Sequence, residues 1–175
     1  MSTSGLSIAY AVERLEAQAT IILALVSGVS DEQARWKPTP DEWSMLEVIN
    51  HLNDEEREDF RMRFDLTLHR PDADWPPIDP QGWVAERHYN ACDVAGSVQA
   101  FLGERERSLA WLRSLGPVNL HSAHHHPHFG SMEAGVLLAS WIAHDCLHIR
   151  QLDDLHYRYL AQVAQPFSVE YAGDW

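Results

Sequence analysis

Apolar residues recur at intervals of three and four positions along four long stretches of the chain, a spacing that places them on one face of an α-helix. In the first stretch these positions are Val12, Leu15, Ala19, Ile22 and Val26. We predict helices over residues 8–27, 41–69, 94–115 and 131–164. Because alternating strand patterns are absent, the pattern predicts an all-α protein built as a four-helix bundle.

Local signals support these boundaries and the way the helices are joined. Ser44 and Glu47 have the spacing of a capping box near the start of the second helix. Asp93 is placed as the N-cap of the third helix. Residues 70–92 are rich in Pro and Trp and long enough to cross the end of the bundle, so the second and third helices can run parallel. We expect residues 1–175 to form a single domain with long crossover connections.

The composition excludes several classes of function. A length of 175 residues with 45% hydrophobic content suits one domain with a substantial core. The formal net charge of -13 argues against binding to nucleic acid or to an anionic membrane. No apolar run approaches the ~20 residues of a membrane span, and the first residues lack a signal-peptide pattern. Two cysteines, Cys92 and Cys146, make no disulfide framework. We expect a soluble, cytoplasmic protein.

Two histidines in the fourth predicted helix carry the strongest chemical signal. His144 and His148 are four residues apart, so their side chains stack on one helical face with Cβ atoms roughly 5–6 Å apart. They lie on or beside the apolar face, where a polar group without a partner is costly. A divalent metal would use both rings at once. The alternative is a pair of satisfied core or surface histidines.

A third histidine favours the metal. His51 lies in the second predicted helix, at the edge of an apolar stripe that includes Val48 and Leu52. Three histidine ligands with a fourth position open to water are typical of a catalytic site of the zinc type. Imidazole suits zinc, nickel, copper and iron. We expect a divalent metal held by His51, His144 and His148, with zinc and nickel favoured.

Two further side chains share faces with these histidines and are the candidate catalytic residues. Glu55 follows His51 by four residues and is the candidate for proton transfer, although surface exposure is its alternative. Gln151 follows His148 by three residues, where it would line the pocket or bond to a bound water. Asp145 is turned about 100° from the ligand face and is expected to bond to a neighbouring helix or an arginine.

A denser group of histidines precedes the fourth helix, and we interpret it as a solvated polar loop. Its members are His121, His124, His125, His126 and His128. His144 lies ~13 residues into the fourth helix, roughly 20 Å from the helix start at 1.5 Å per residue. The loop is therefore not expected to share a metal with His144 and His148. Cys146 should point away from both, because two residues correspond to about 200° around a helix.

The tryptophan content bears on association. The chain has seven tryptophans, more than a small bundle readily hides, and Trp141 is placed on an outer face of the fourth helix. Large aromatic side chains on an outer surface are typical of interface anchors. This pattern predicts a homodimer.

Four segments together resemble the DinB-like family of small bacterial metalloproteins. They are RWKP at 35–38, WSMLEVINHL at 43–52, HPHFG at 126–130 and HDCLHIRQ at 144–151, in the family's order. The resemblance extends over residues 8–162. It implies a four-helix bundle, commonly dimeric, with a divalent metal held by three histidines. The family's ligands fall on His51, His144 and His148, and none of the three is altered here.

The resemblance leaves three functions open. Family members include proteins called metal-dependent hydrolases, and a bound water with a pKa near ~7 would attack an ester or amide of a small molecule. Others are transferases of low-molecular-weight thiols of the bacillithiol or mycothiol type, in which coordination deprotonates the thiol. A third reading is a metal that only staples the second and fourth helices, without turnover. We expect a metal-dependent hydrolase acting on a small molecule, with the thiol transferase and the staple as alternatives.

Overall fold

The computed structural model describes residues 5–175 and contains seven α-helices and one two-stranded hairpin. The elements of the first half are α1 (Ile8–Val26), α2 (Asp31–Arg35), α3 (Met45–Asp54), a π-helical turn (Glu55–Phe60) and α4 (Arg61–His69). Those of the second half are α5 (Pro80–Glu86), a 3-10 turn (Tyr89–Ala91), α6 (Val94–Ser114), β1 (Ala123–His126), β2 (Gly130–Glu133), α7 (Ala134–Val163) and a 3-10 turn (Glu170–Ala172).

The predicted four-helix bundle is confirmed. α1, α6 and α7 are three of its helices, and α3, the π-helical turn and α4 together form the fourth. α1 packs against α6 and α7, and α3 packs against the same two helices. The helices follow one another around the bundle in the order α1, α6, α3–α4, α7. No helix within residues 5–175 is both long enough and apolar enough to span a membrane.

Capping explains where the second bundle helix begins. The Ser44 hydroxyl accepts a hydrogen bond from the Glu47 amide over 3.1 Å, and the Glu47 carboxylate accepts one from the Ser44 amide over 2.8 Å. This is the predicted capping box, and it satisfies two backbone donors that the first helical turn leaves free. The π-helical turn Glu55–Phe60 inside this helix was not predicted, since apolar periodicity does not register one extra residue in a turn.

The histidine-rich segment is a β-hairpin and not an irregular loop. β1 and β2 pair antiparallel with His126 opposite Gly130, which has a φ of 71°. Such a positive φ is readily adopted by glycine. The hairpin takes up residues 130–133, so α7 begins at Ala134 and not near Ser131. β1 consists of one Ala and three His residues, so it shows no alternation of apolar and polar positions that would predict a strand.

Two apolar clusters form the core, and one polar layer separates them along every bundle helix. Arg105 of α6 is almost fully buried and uses all five of its N–H groups. They bind both carboxylate oxygens of Glu56 and of Asp145 and the Leu15 carbonyl, at 2.6–2.9 Å. One guanidinium thus joins all four bundle helices. Asp145 bonds to an arginine, as its position in the sequence predicts.

Trp141 belongs to the core, and its predicted place on an outer surface is wrong. Its side chain is 1% exposed, its ring stacks on Phe60, and its Nε1–H donates to Glu56 Oε2 over 2.9 Å. A buried indole needs such a hydrogen-bond partner. Glu56 provides it from inside the bundle, which periodicity alone does not reveal. Trp141 therefore gives no support to a dimer.

Candidate metal centre

Three histidines from two bundle helices converge at the level of the buried polar layer. His51 lies in the last turn of α3, and His144 and His148 lie on successive turns of α7. The Nε2 atom of His144 is 3.2 Å from that of His51 and 3.1 Å from that of His148. One nitrogen from each ring lies within 4.8 Å of the other two. Nitrogens that share a tetrahedral zinc at ~2.0–2.1 Å are separated by ~3.3 Å, so the spacing is close to that of a ligand set.

The surroundings keep the three imidazoles neutral. Burial, together with the neighbouring His148, lowers the pKa of His51 to about 3. Burial and the two other rings lower the pKa of His144 to about 2. Burial also lowers the pKa of His148. Neutral imidazole is the form that ligates a metal, so at neutral pH no proton has to leave these rings before an ion binds.

Neighbouring side chains orient the rings. His148 donates from Nδ1 to Gln151 Oε1 over 2.8 Å, which leaves the lone pair of Nε2 facing His144. The Trp43 ring stacks parallel to His148 with centroids 6.4 Å apart and lies 4.8 Å from the His51 ring. On the other side, the Phe60 ring is 5.0 Å from that of His144. Gln151 is therefore an orienting group for a candidate ligand.

An open cavity of about 430 Å³ reaches the site from the surface. His51, His148 and Gln151 line its inner part. Its remaining lining residues are Asp41, Glu42, Trp43, Gln81, Asp154, Leu155 and Arg158. A small molecule can thus approach two of the three histidines directly.

The residues of this outer lining were not predicted, although the sequence contains part of the signal for them. Leu155 and Arg158 follow His148 on α7 by 7 and 10 residues, close to two and three helical turns. Extending the face of His148 along α7 would have found them. Asp41, Glu42 and Gln81 come from connecting segments, and no periodicity places them.

Glu55 is buried but does not line this cavity. Its side chain is 4% exposed and its Oε1 atom has no hydrogen-bond partner. Burial, with the adjacent Asp59 carboxylate as the second cause, raises its pKa to about 8. Arg63 Nε lies 2.9 Å from Asp59 on the same side. Glu55 is therefore a carboxyl group that carries its proton near neutral pH, and its predicted surface alternative does not apply.

The histidines of the hairpin and Cys146, which could in principle ligate a metal, lie outside this site. Among residues 5–175, only His51, His144 and His148 form a group of three or more that could hold an ion. His124 of the hairpin stacks on Trp75 and bonds to the Pro71 carbonyl. Cys146 lies outside the group, and its sulfur accepts a hydrogen bond from Gln18. The separation of the hairpin histidines from the candidate site agrees with the sequence prediction.

Comparison with known proteins finds a family match and similar solved structures. The model of a family described as the DinB superfamily matches residues 14–152. The structure of YfiT from Bacillus subtilis, described as "a probable metal-dependent hydrolase with an unusual four-helix bundle topology", is similar with a TM-score of 0.77. The two chains are 21% identical, and the match covers 91% of this chain and 93% of YfiT. No curated protein sequence matches.

Proposed function

The chain belongs to the DinB superfamily, and from this membership and its three converging histidines we propose that it is a metal-dependent hydrolase acting on a small molecule. The observation that carries the proposal is the approach of three Nε2 atoms beside an open cavity. The description of YfiT as a probable metal-dependent hydrolase supports it by analogy of fold.

The residues fit a divalent ion on chemical grounds. The Nε2 atom of His144 lies 3.2 Å from that of His51 and 3.1 Å from that of His148, so the lone pairs of three neutral imidazoles come together and a cation between them would bind all three. Nitrogen ligands of this kind suit zinc and nickel, which we propose as the resident metals.

The residues at and near the site would have different roles in the reaction. His51, His144 and His148 hold the ion, which when bound supplies Lewis acidity and an acidified water for attack on an ester or amide. Gln151 orients His148 and faces the cavity. Glu55 is proposed to hold a proton for the leaving group, which its raised pKa supports. Because it does not line the cavity, its proton would move through an intervening water.

The alternatives are separated by features of the same site. A metal that only staples helices would be favoured by a fourth protein ligand, and no fourth His, Cys, Asp or Glu joins the three within residues 5–175. The thiol transferase differs from the hydrolase only in its cosubstrate. We therefore keep both as outcomes of the assay. A homodimer and a single domain over residues 1–175 are also part of the proposal.

The test is a turnover assay with zinc-loaded and nickel-loaded protein. Activated esters and amides are offered without thiol, and monochlorobimane is then offered with bacillithiol, mycothiol or glutathione. Hydrolysis without thiol that disappears in the His144→Asn variant supports the proposal. Thiol-dependent conjugation alone would replace it with the transferase. No turnover, together with an ion ligated by four protein groups, would favour the staple. Light scattering on the same sample distinguishes a dimer from a 20.0 kDa monomer.

A further inference from the structure

The part of the cavity lining formed by Asp41, Glu42, Asp154 and Arg158, which we call its mouth, is acidic. Asp41, Glu42 and Asp154 bring three carboxylates to the lining, and Arg158 brings one guanidinium. With the histidines neutral, the lining has a net charge of -2. The whole chain adds to this field, because its formal net charge is -13.

The single cation at the mouth is already engaged. Both terminal nitrogens of Arg158 donate to the Glu42 carboxylate, the second over 3.1 Å. This contact with Arg158 is the largest cause of a lowered pKa at Glu42, so that carboxylate stays charged at neutral pH. The Nη1 atom of Arg158 also lies 3.6 Å from Asp154. An anionic ligand would therefore have to displace Glu42 to reach the guanidinium, and it would meet Asp41 and Asp154 as repulsive charges.

An aromatic ring completes the surroundings that a cation prefers. Trp43 lines the same cavity, and its ring lies against the rings of His51 and His148. The face of an indole attracts a positive charge, and this attraction is strongest for Trp among the aromatic side chains. Carboxylates beside a Trp ring form a common environment for ammonium groups.

A metal at the histidines would not cancel this preference, because it would act at the other end of the cavity. Asp154 follows His148 by six residues on α7, which is ~9 Å along the helix axis. A loaded site would be positive at its inner end and negative at its mouth. It would therefore fit a ligand whose electron-rich carbonyl faces inward and whose positive charge lies about two helical turns further out.

We propose that this cavity selects small molecules that carry a positively charged ammonium group several bonds away from the reacting carbonyl. The inference rests on the proposed function for the location of the metal. It adds the substrate class, namely cationic esters or amides in preference to neutral ones and against anionic ones.

The experiment measures binding and not turnover. Zinc-loaded protein is titrated calorimetrically with three hydroxamates of equal chain length, which differ only at the far end. They are 6-aminohexanohydroxamate (cationic), heptanohydroxamate (neutral) and the monohydroxamate of pimelic acid (anionic). We expect the cationic probe to bind about 10-fold more tightly than the neutral one, and the anionic probe to bind about 10-fold more weakly. The differences should shrink as salt rises from 0.02 to 0.5 M.

Variants of the lining residues show whether the preference comes from the cavity, because the intrinsic differences between the probes are the same for every variant. The ratio of the cationic to the neutral Kd should move about three- to fivefold toward unity in Asp41→Asn and in Asp154→Asn. It should move the other way in Arg158→Gln, which removes the positive charge beside Glu42 and Asp154. Asp153→Asn is the matched control, because Asp153 is exposed and does not line the cavity. This control should leave the ratio unchanged.

The failures can be told apart. Equal binding of the three probes, or a cation preference that persists in both aspartate variants, overturns the charge selection while leaving the metal site intact. If none of the three probes binds although zinc stays bound, the cavity does not lead to the metal, and both this inference and the proposed function are wrong. Asp41 is exposed, so its variant tests the inference even if Asp154→Asn does not fold.

Discussion

His148 Nδ1 lies 2.8 Å from the side-chain oxygen of Gln151, one turn further along α7. An amide oxygen only accepts, so the imidazole is the donor and its Nε2 is free to ligate. Such outer hydrogen bonds typically change metal affinity by about 10–100-fold. We predict that Gln151→Ala weakens zinc binding by this factor, as measured by competition with a chromophoric chelator. Gln165→Ala, at an exposed site, is the control. Unchanged affinity in Gln151→Ala would show that this contact does not orient the ligand.

The lowered histidine pKa values predict that acid destabilises the metal-free protein. His51 and His144 stay neutral in the folded chain down to a pH of about 3 or below, whereas they take up protons near 6.5 once unfolded. The unfolded state therefore binds more protons below pH 6.5, and stability is lost as the pH falls through that value. Between pH 7 and pH 5 each residue costs about 2 kcal/mol of unfolding free energy.

The measurement is urea unfolding with a chelator present, at pH 7 and at pH 5. A His51→Asn/His144→Asn double variant should lose about 4 kcal/mol less than the wild type across this interval. Groups such as Glu55 contribute to both proteins, so the difference isolates the two histidines. Parallel pH dependences in the two proteins would contradict the burial of neutral rings.

Glu55 should show the opposite pH dependence. Its pKa is raised to about 8, so the folded chain binds more protons than the unfolded chain between pH 4.5 and 8, and stability falls as the pH rises through that range. Glu55→Gln removes this loss, so between pH 5 and pH 8 the variant should lose on the order of 3–4 kcal/mol less unfolding free energy than the wild type. If Glu55 also donates a proton during the reaction, turnover by the Glu55→Gln variant should fall by ~10²–10⁴-fold, while the variant keeps its bound metal. Unchanged turnover would leave Glu55 with a structural role only.

The buried guanidinium of Arg105 should be the most sensitive charged group outside the metal site. Arg105→Met leaves Glu56 and Asp145 buried without their partner, and breaking such a pair typically costs 3–5 kcal/mol, so we predict a loss of about that size. Arg113→Met is the control, since Arg113 pairs with Glu16 on the exposed surface and should change stability by ~0–1 kcal/mol. Urea unfolding compares the two. Similar small losses would mean that the polar layer contributes little to stability.

Sequence reasoning predicts well what repeats with the helical period and poorly what depends on partners distant in the chain. The four bundle helices and the shared face of His144 and His148 follow directly from spacing. The burial of Trp141 depends on Glu56, 85 residues away, and therefore escapes a periodicity argument. The acidic mouth joins residues 41–42 to Asp154 and Arg158 of α7 in the same way. The apolar stripe beside His51 predicts that it faces the core with the pair on α7, and the family resemblance supports the same ligand set.

The most direct test of the metal site is anomalous diffraction at the zinc edge from crystals grown with one equivalent of zinc. We predict one ion at the candidate site, with Nε2 of His51, His144 and His148 each ~2.0–2.2 Å away. An ion bound instead by the histidines of residues 121–128, with those three rings unligated, would contradict the central claim.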